Sequence, residues 1–186
     1  RADPLLLTGD LKPDMASLTL GSMNFSRTAS VNSPEMNQRL ITRMAEAGVK
    51  PELEVFDSGM ANYARYLADR GLIQPPFYFN FILGNVATAQ AKPMHLGLLM
   101  AELPANSLWC GGGIGADQLA MNTMGMLYGN GVRVGLEDCL WLDKERKQLA
   151  SNLDMVQRVV KLAELLGKQI ATPREVRRAL GLDSHV

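Results

Sequence analysis

Short stretches in which apolar and polar residues alternate recur along the chain, each followed by a longer stretch with helical spacing. Alternation at period two marks a strand with one apolar and one polar face, whereas apolar positions every three to four residues mark an amphipathic helix. Strands are therefore predicted at 14–20, 51–57, 76–83, 106–111 and 131–137, and helices at 34–47, 59–71, 93–102, 117–128 and 144–166. A last short helix is predicted from Thr172, because Thr172-Pro173-Arg174-Glu175 offers an N-cap, a first-turn proline and a glutamate at the third helical position. Gly48, Gly71 and Gly167 stand where helices should stop.

Five strand–helix repeats without a linker predict one domain over 1–186, with parallel strands joined by crossover helices. A doubly wound sheet is covered by helices on both faces, and its strands read apolar throughout. These strands alternate instead. Ala16, Leu18 and Leu20 oppose Ser17 and Thr19; Leu53 and Val55 oppose Glu52 and Glu54; Phe77, Phe79 and Phe81 oppose Tyr78 and Asn80. In the last strand Val132, Val134 and Leu136 oppose Arg133, Gly135 and Glu137. One face for helices and one for a polar interior favours part of a (β/α)8 TIM barrel, about five units of it. Its strands should lie side by side in chain order, with Ser17, Thr19, Glu54, Tyr78, Asn80, Arg133 and Glu137 on one concave side. A reversal in strand order would instead mark the doubly wound sheet.

Composition narrows the function. Of 186 residues, 47% are hydrophobic and 20% charged, which supports a packed core and argues against disorder. Nineteen basic and nineteen acidic residues cancel, so neither nucleic acid nor an anionic membrane is expected as the main partner. Mean hydropathy is −0.03, and no apolar run approaches the ~20 residues of a membrane span. Two cysteines exclude a disulfide framework and suit a reducing, cytoplasmic setting. The opening Arg1-Ala2-Asp3 has no initiator Met and no signal-like segment, so the chain is expected to begin within a longer protein.

Three stretches could carry chemistry. In Arg133-Val134-Gly135-Leu136-Glu137-Asp138, two carboxylates follow an arginine at the C-terminal end of a strand, where barrel active sites are built. A carboxylate there can bind a metal or move a proton; equally, Arg133 could form an interior ion pair with Glu54. Gly111-Gly112-Gly113-Ile114-Gly115-Ala116 joins a strand to a helix, and Gly111 and Gly113 would let an anion approach backbone N–H groups. The same stretch weakly matches a dinucleotide fingerprint, and a plain tight turn also explains it. Thr19-Leu20-Gly21-Ser22 ends the first strand, where the Thr19 and Ser22 hydroxyls could bind a carboxylate or carbonyl, or simply form a turn. Glu52 and Glu54 make a second carboxylate pair. His95 and His185 lack a histidine partner at metal-ligand spacing and are read as structural or solvated. Cys110 and Cys139 are read as small apolar fillers, and Met121, Met124 and Met126 as helix packing.

Five segments in order, DMASLTLGSMNF (14–25), PELEVFDSGM (51–60), FNFILG (79–84), WCGGGIGADQLAM (109–121) and VRVGLEDCLWLDKERKQLASN (132–152), resemble the bacterial β-keto acid cleavage enzymes. The resemblance covers essentially the whole chain. It implies a (β/α)8 barrel, commonly tetrameric, that uses a divalent metal, usually zinc, to condense a β-keto acid with acetyl-CoA. The products would be acetoacetate and the CoA ester of the shortened acid. It further implies Glu137 as a metal ligand, Arg133 and Asp138 in the chemistry, Thr19 as a substrate contact and Glu54 as an active-site carboxylate. On the family's pattern the metal would polarise the keto carbonyl, Asp138 would act as base, and Arg133 would stabilise negative charge. The family's His-x-His metal pair is absent, as are other motifs of its first three units. The chain is thus expected to be the C-terminal five-eighths of such an enzyme, weak in zinc binding and inactive alone. Cys139 stands where the family usually has Asn. Two alternatives remain open: a self-contained doubly wound nucleotide-binding module, and a non-catalytic homologue.

Overall fold

The computed structural model describes Leu6 and residues 9–182; His185 lies outside the described residues. Strands β1 (Met15–Thr19), β4 (Lys50–Val55), β5 (Phe77–Leu83), β6 (Ser107–Gly113) and β7 (Gly131–Val132) form one parallel sheet. Their order, β1-β4-β5-β6-β7, follows the chain without reversal. That order excludes the doubly wound alternative, whose ligand crevice requires a reversal. Helices α1 (Pro34–Ala47), α2 (Ser58–Asp69), α3 (Pro93–Ala101) and α4 (Gln118–Tyr128) alternate with the strands, and α5 (Asn152–Leu165) and α6 (Pro173–Ala179) complete the chain. The result is a segment of a TIM-barrel-type fold.

The alternation read from the sequence explains the layering. Leu18, Leu53, Val55, Phe79 and Phe81 are buried together with Met44, Leu67, Leu99 and Met121 from the helices. Phe81 stacks on Trp109 with ring centroids 5.1 Å apart. Fully burying each large apolar side chain contributes roughly 1.5–3 kcal/mol before entropy is charged against it. Helix starts follow their caps: Ser33, Asp57, Ser151 and Thr172 each accept a backbone N–H from the first turn, the last two as full capping boxes. Gly48 ends α1 at φ 63°, where a side chain would be strained.

Close approach of α4 to β6 dictates two glycines. A Cβ at Gly111 would lie 2.4 Å from the Met121 carbonyl oxygen, and one at Gly113 would lie 2.5 Å from that of Asp117. The expected ligand loop is therefore partly strand, with Gly111 and Gly113 turned toward α4. Their middle neighbour Gly112 faces the opposite side, where its Cβ would sit 3.2 Å from the Cβ of Arg133.

Two sequence expectations are corrected, and one element was not expected. The strand expected over 131–137 is only Gly131–Val132. After the Arg133 N–H donates to Gly111 O, the chain turns away, and Gly135 O accepts the N–H groups of Asp138 and Cys139. The helix expected from 144 begins at Asn152. Residues before it fold locally, because the Asp143 carboxylate accepts the Lys147 and Gln148 N–H groups and Ser151 caps the helix. A small antiparallel hairpin, β2 (Met23–Asn24) with β3 (Ala29–Ser30), lies between β1 and α1 and had no strong alternation to announce it.

Candidate active site

Period-two geometry brings the polar positions of successive strands together on the face opposite α1–α4. Thr19 is level with Glu54, Glu54 with Asn80, and Asn80 with Cys110. Beyond Cys110, Gly111 pairs with Val132, placing Arg133 just past the end of β7. The glycine at 112 leaves room for the Arg133 side chain to cross β6 toward β4.

Arg133 spends its guanidinium on three carboxylates. Nη1 donates to Glu54 Oε1 at 3.0 Å, Nη2 to Glu137 Oε2 at 2.9 Å, and Nε to Asp138 Oδ2 at 2.9 Å. Thr19 Oγ1 donates to the other oxygen of Glu54 at 2.6 Å. Thr19, Glu54, Arg133, Asp138 and Glu137 thus form one connected network, of which the sequence offered the Arg133–Glu54 pair. Both readings of Arg133 meet here, since the interior ion pair with Glu54 coexists with contacts to the two carboxylates at the strand end. Exposure divides the acids: side chains are 7% exposed for Asp138 and 13% for Glu54, but 83% for Glu137. Glu137 is therefore at the rim and not on the sheet face, a correction that follows from the early end of β7. Burial alone would lower the Arg133 pKa, but the hydrogen bond and charge of Asp138, then Glu54 and Glu137, carry it above its ordinary value.

A second polar group lies one layer below. Asn80 Nδ2 donates to Glu52 Oε1, and Ser17 Oγ lies 3.4 Å from Glu52 Oε2. Tyr78 Oη meets Cys110 Sγ at 3.1 Å, and burial raises the pKa of both. Desolvation, and next the charge of Glu54, raises the Glu52 pKa above its ordinary 4.5. A raised carboxyl binds its proton more tightly when folded, so its contribution to stability falls as pH rises from the unfolded pKa through the folded one. Glu52→Gln is expected to remove that loss: relative to wild type, its thermal midpoint should improve from pH 4 to pH 7. Parallel melting curves across that range would oppose this assignment.

The segment carrying the acids is pinned by amides that sequence reading missed. Asn122 Nδ2 donates to both Gly111 O and Arg133 O, and Gln118 Nε2 to Gly135 O. Asn152 Oδ1 accepts the Leu136 N–H, and Gly115 N–H donates to Asp138 O. Gln118 and Asn122 are 1% and 0% exposed. Their signal was two amides four residues apart on the face of α4 shared with the buried Met121 and Gly125.

Other expected residues fall elsewhere. Ser22 Oγ accepts the Asn32 N–H in the turn after β1. The N–H groups of Ile114, Gly115 and Asp117 donate to Leu83, Asp138 and Ile114 carbonyls, so these groups of the glycine segment are already engaged. His95 Nδ1 accepts the Gln90 N–H, in keeping with its structural reading. Cys139 is buried and its thiol donates to Trp141 O at 3.2 Å. Among the described residues no group of three or more His, Cys, Asp or Glu side chains could hold a metal ion.

Comparison with known proteins identifies the family and the fold. A family model described as beta-keto acid cleavage enzyme matches residues 1–182. The chain is 40% identical over 175 residues to the 3-keto-5-aminohexanoate cleavage enzyme of Fusobacterium nucleatum, covering 93% of this chain and 63% of that enzyme. It is 35% identical over 180 residues to the 3-oxoadipate:acetyl-CoA acetyltransferase of Cupriavidus necator, covering 94% and 62%. The chain therefore spans a little under two thirds of these relatives. Among solved structures, the ternary complex of ObcA with C4-CoA adduct and oxalate superposes with a TM-score of 0.75 at 20% identity, over 93% of this chain and 47% of that one. The apo structure of ObcA gives 0.74 at 21% identity, over 91% and 44%. At that identity the likeness speaks for the fold.

Proposed function

Because the chain belongs to the β-keto acid cleavage enzyme family, we propose that its polar face serves an acetyl-CoA-dependent cleavage of a β-keto acid to acetoacetate and a shortened acyl-CoA. The observation that carries this reading is the Arg133 fork, which holds Asp138 and Glu137 at the strand end while anchored to Glu54 and Thr19. A proton between two carbonyls is acidic enough for a carboxylate to remove when the enolate charge is met by a cation. Asp138 takes that proton, and Arg133 faces the resulting charge. The carbanion attacks the acetyl thioester and expels CoA thiolate. The thiolate then adds to the original keto carbon, and cleavage releases acyl-CoA and the enolate of acetoacetate, which recovers the proton from Asp138. Thr19 and Glu54 position Arg133 throughout.

A divalent metal, zinc by resemblance, belongs to this reading only in part. A catalytic zinc takes three protein ligands as a rule. The described residues contain no such group, and the one matching carboxylate, Glu137, is bonded to Arg133. The residues present do not by themselves fit the ion, and the steps above run through Arg133 and Asp138. A homotetramer rests on the family resemblance, and a cytoplasmic setting on the two free, buried cysteines. Among the described residues no helix is long and apolar enough to cross a membrane.

The test is acetoacetate formation from acetyl-CoA and a panel of β-keto acids by the full-length protein. Asp138→Asn is expected to keep the fold and lose at least a hundredfold in kcat, the scale of a removed general base. Undiminished turnover in that variant would take the proton transfer away from Asp138.

A further inference from the structure

Arg133 and Asp138 stand five residues apart, and an extended strand would hold them apart. Five residues of strand cover about 16 Å, and period two would turn Asp138 to the face opposite Arg133. The alternation of Val132, Val134 and Leu136 favours that strand. In the structure the chain leaves the sheet after Val132, and Asp138 Oδ2 returns to 2.9 Å from Arg133 Nε. The pairing of base and cation therefore depends on what turns residues 133–138 out of the ladder.

Two side-chain amides of α4 stand at that turn. Asn122 Nδ2 donates to Gly111 O at 2.9 Å and to Arg133 O at 2.8 Å, taking the carbonyl that a longer β7 would pair with β6. Gln118 Nε2 donates to Gly135 O at 3.0 Å. Gln118 Oε1 faces Arg158 Nη2 at 3.5 Å, while Arg158 Nη1 is fixed on Leu142 O at 2.9 Å. A cation from α5 thus sets which end of the Gln118 amide meets Gly135. The short Asn122 side chain reaches because α4 lies close: a Cβ at Gly125, on the same helix face, would be 2.5 Å from Gly131 O. Asn122 Oδ1 is buried without a hydrogen-bond partner among the described residues. Leaving a buried acceptor empty destabilises a fold, and such local losses are retained where a site requires the geometry. Resting on the function proposed above, we infer that Asn122 and Gln118 are positioning residues of the proton transfer, acting through the Arg133 and Gly135 carbonyls to bring Asp138 back onto the Arg133 guanidinium.

The test is steady-state acetoacetate formation by the full-length protein, with kcat and KM separated. Gln118→Glu keeps the shape and strengthens the contact with Arg158, but sets an acceptor against Gly135 O. Asn122→Leu keeps the bulk and removes the donor. Each is expected to melt cooperatively and to lose roughly ten- to a hundredfold in kcat, the scale of a catalytic group misplaced by about 1 Å, with both KM values within about threefold. Combined with Asp138→Asn, each should lower kcat by no more than about a further twofold, because a residue that acts by placing the base has nothing left to place. Wild-type kcat in both variants, or a tenfold loss repeated in the Asp138→Asn background, would overturn the positioning role while the proposed function stands. Loss of cooperative folding in both variants would make the amides structural and overturn it as well. A wild-type protein that forms no acetoacetate would overturn the positioning role and the proposed function together.

Discussion

Arg133→Met is expected to lower acetoacetate formation by a hundred- to a thousandfold, the range seen when one donor to a developing oxyanion is removed. The same change should destabilise the protein by about 3 kcal/mol, because two largely buried carboxylates lose their cation while Glu137 is screened by water. For a chain of this length that is a fall of about 6–12 °C in thermal midpoint. Arg133→Lys should recover part of the stability and little of the activity. An ammonium keeps the charge but cannot present the three-nitrogen fork that Glu54, Asp138 and Glu137 share. Glu137→Gln, at the exposed rim, should shift stability by no more than about 0.5 kcal/mol. A midpoint for Arg133→Met within 2 °C of wild type would mean that the network is not what holds these acids.

Gly111→Ala and Gly113→Ala should each destabilise by about 3 kcal/mol or more, whether or not a ligand is present. The added methyl would meet carbonyl oxygens at 2.4 and 2.5 Å, and backbone cannot swing aside as a side chain can. Gly115→Ala tests a different cost: nothing lies within 4 Å of its Cβ, but its φ of 60° strains any side chain, by roughly 1 kcal/mol. Thermal melts of the three variants should rank accordingly. If Gly113→Ala melts with wild type and loses only CoA affinity, the glycine serves the ligand directly and the packing account fails.

The sheet was legible because a barrel strand carries two faces of opposite chemistry. Leu53 and Val55 against Glu52 and Glu54 announce the strand, its inside and its outside in four residues. The network was legible to the same degree, since Thr19, Glu54 and Arg133 fall on that face by counting in twos. Sequence reading failed where local hydrogen bonding overrode periodicity. Val132, Val134 and Leu136 alternate well, but Asn122 captures the Arg133 carbonyl and Asn152 the Leu136 N–H, so the ladder stops after Val132. Lys144 to Gln148 have helical composition, but Asp143 bends them into a turn. The glycines misled for a related reason: absence of a side chain admits a ligand and a helix equally well, and only the position of α4 decides between them.

The amides of α4 have a dynamic consequence. Residues 133–138 contain almost no regular structure, and such segments ordinarily open on their own at little cost. Here Gln118 and Asn122 tie the Gly135 and Arg133 carbonyls to the same face of α4 that packs Met121 into the core, so the segment cannot leave unless α4 lifts from β6. Proton exchange at its amides and loss of the carboxylate arrangement should therefore follow the same cooperative event that exposes Met121, and the acids stay in register up to the temperature at which the helix itself departs.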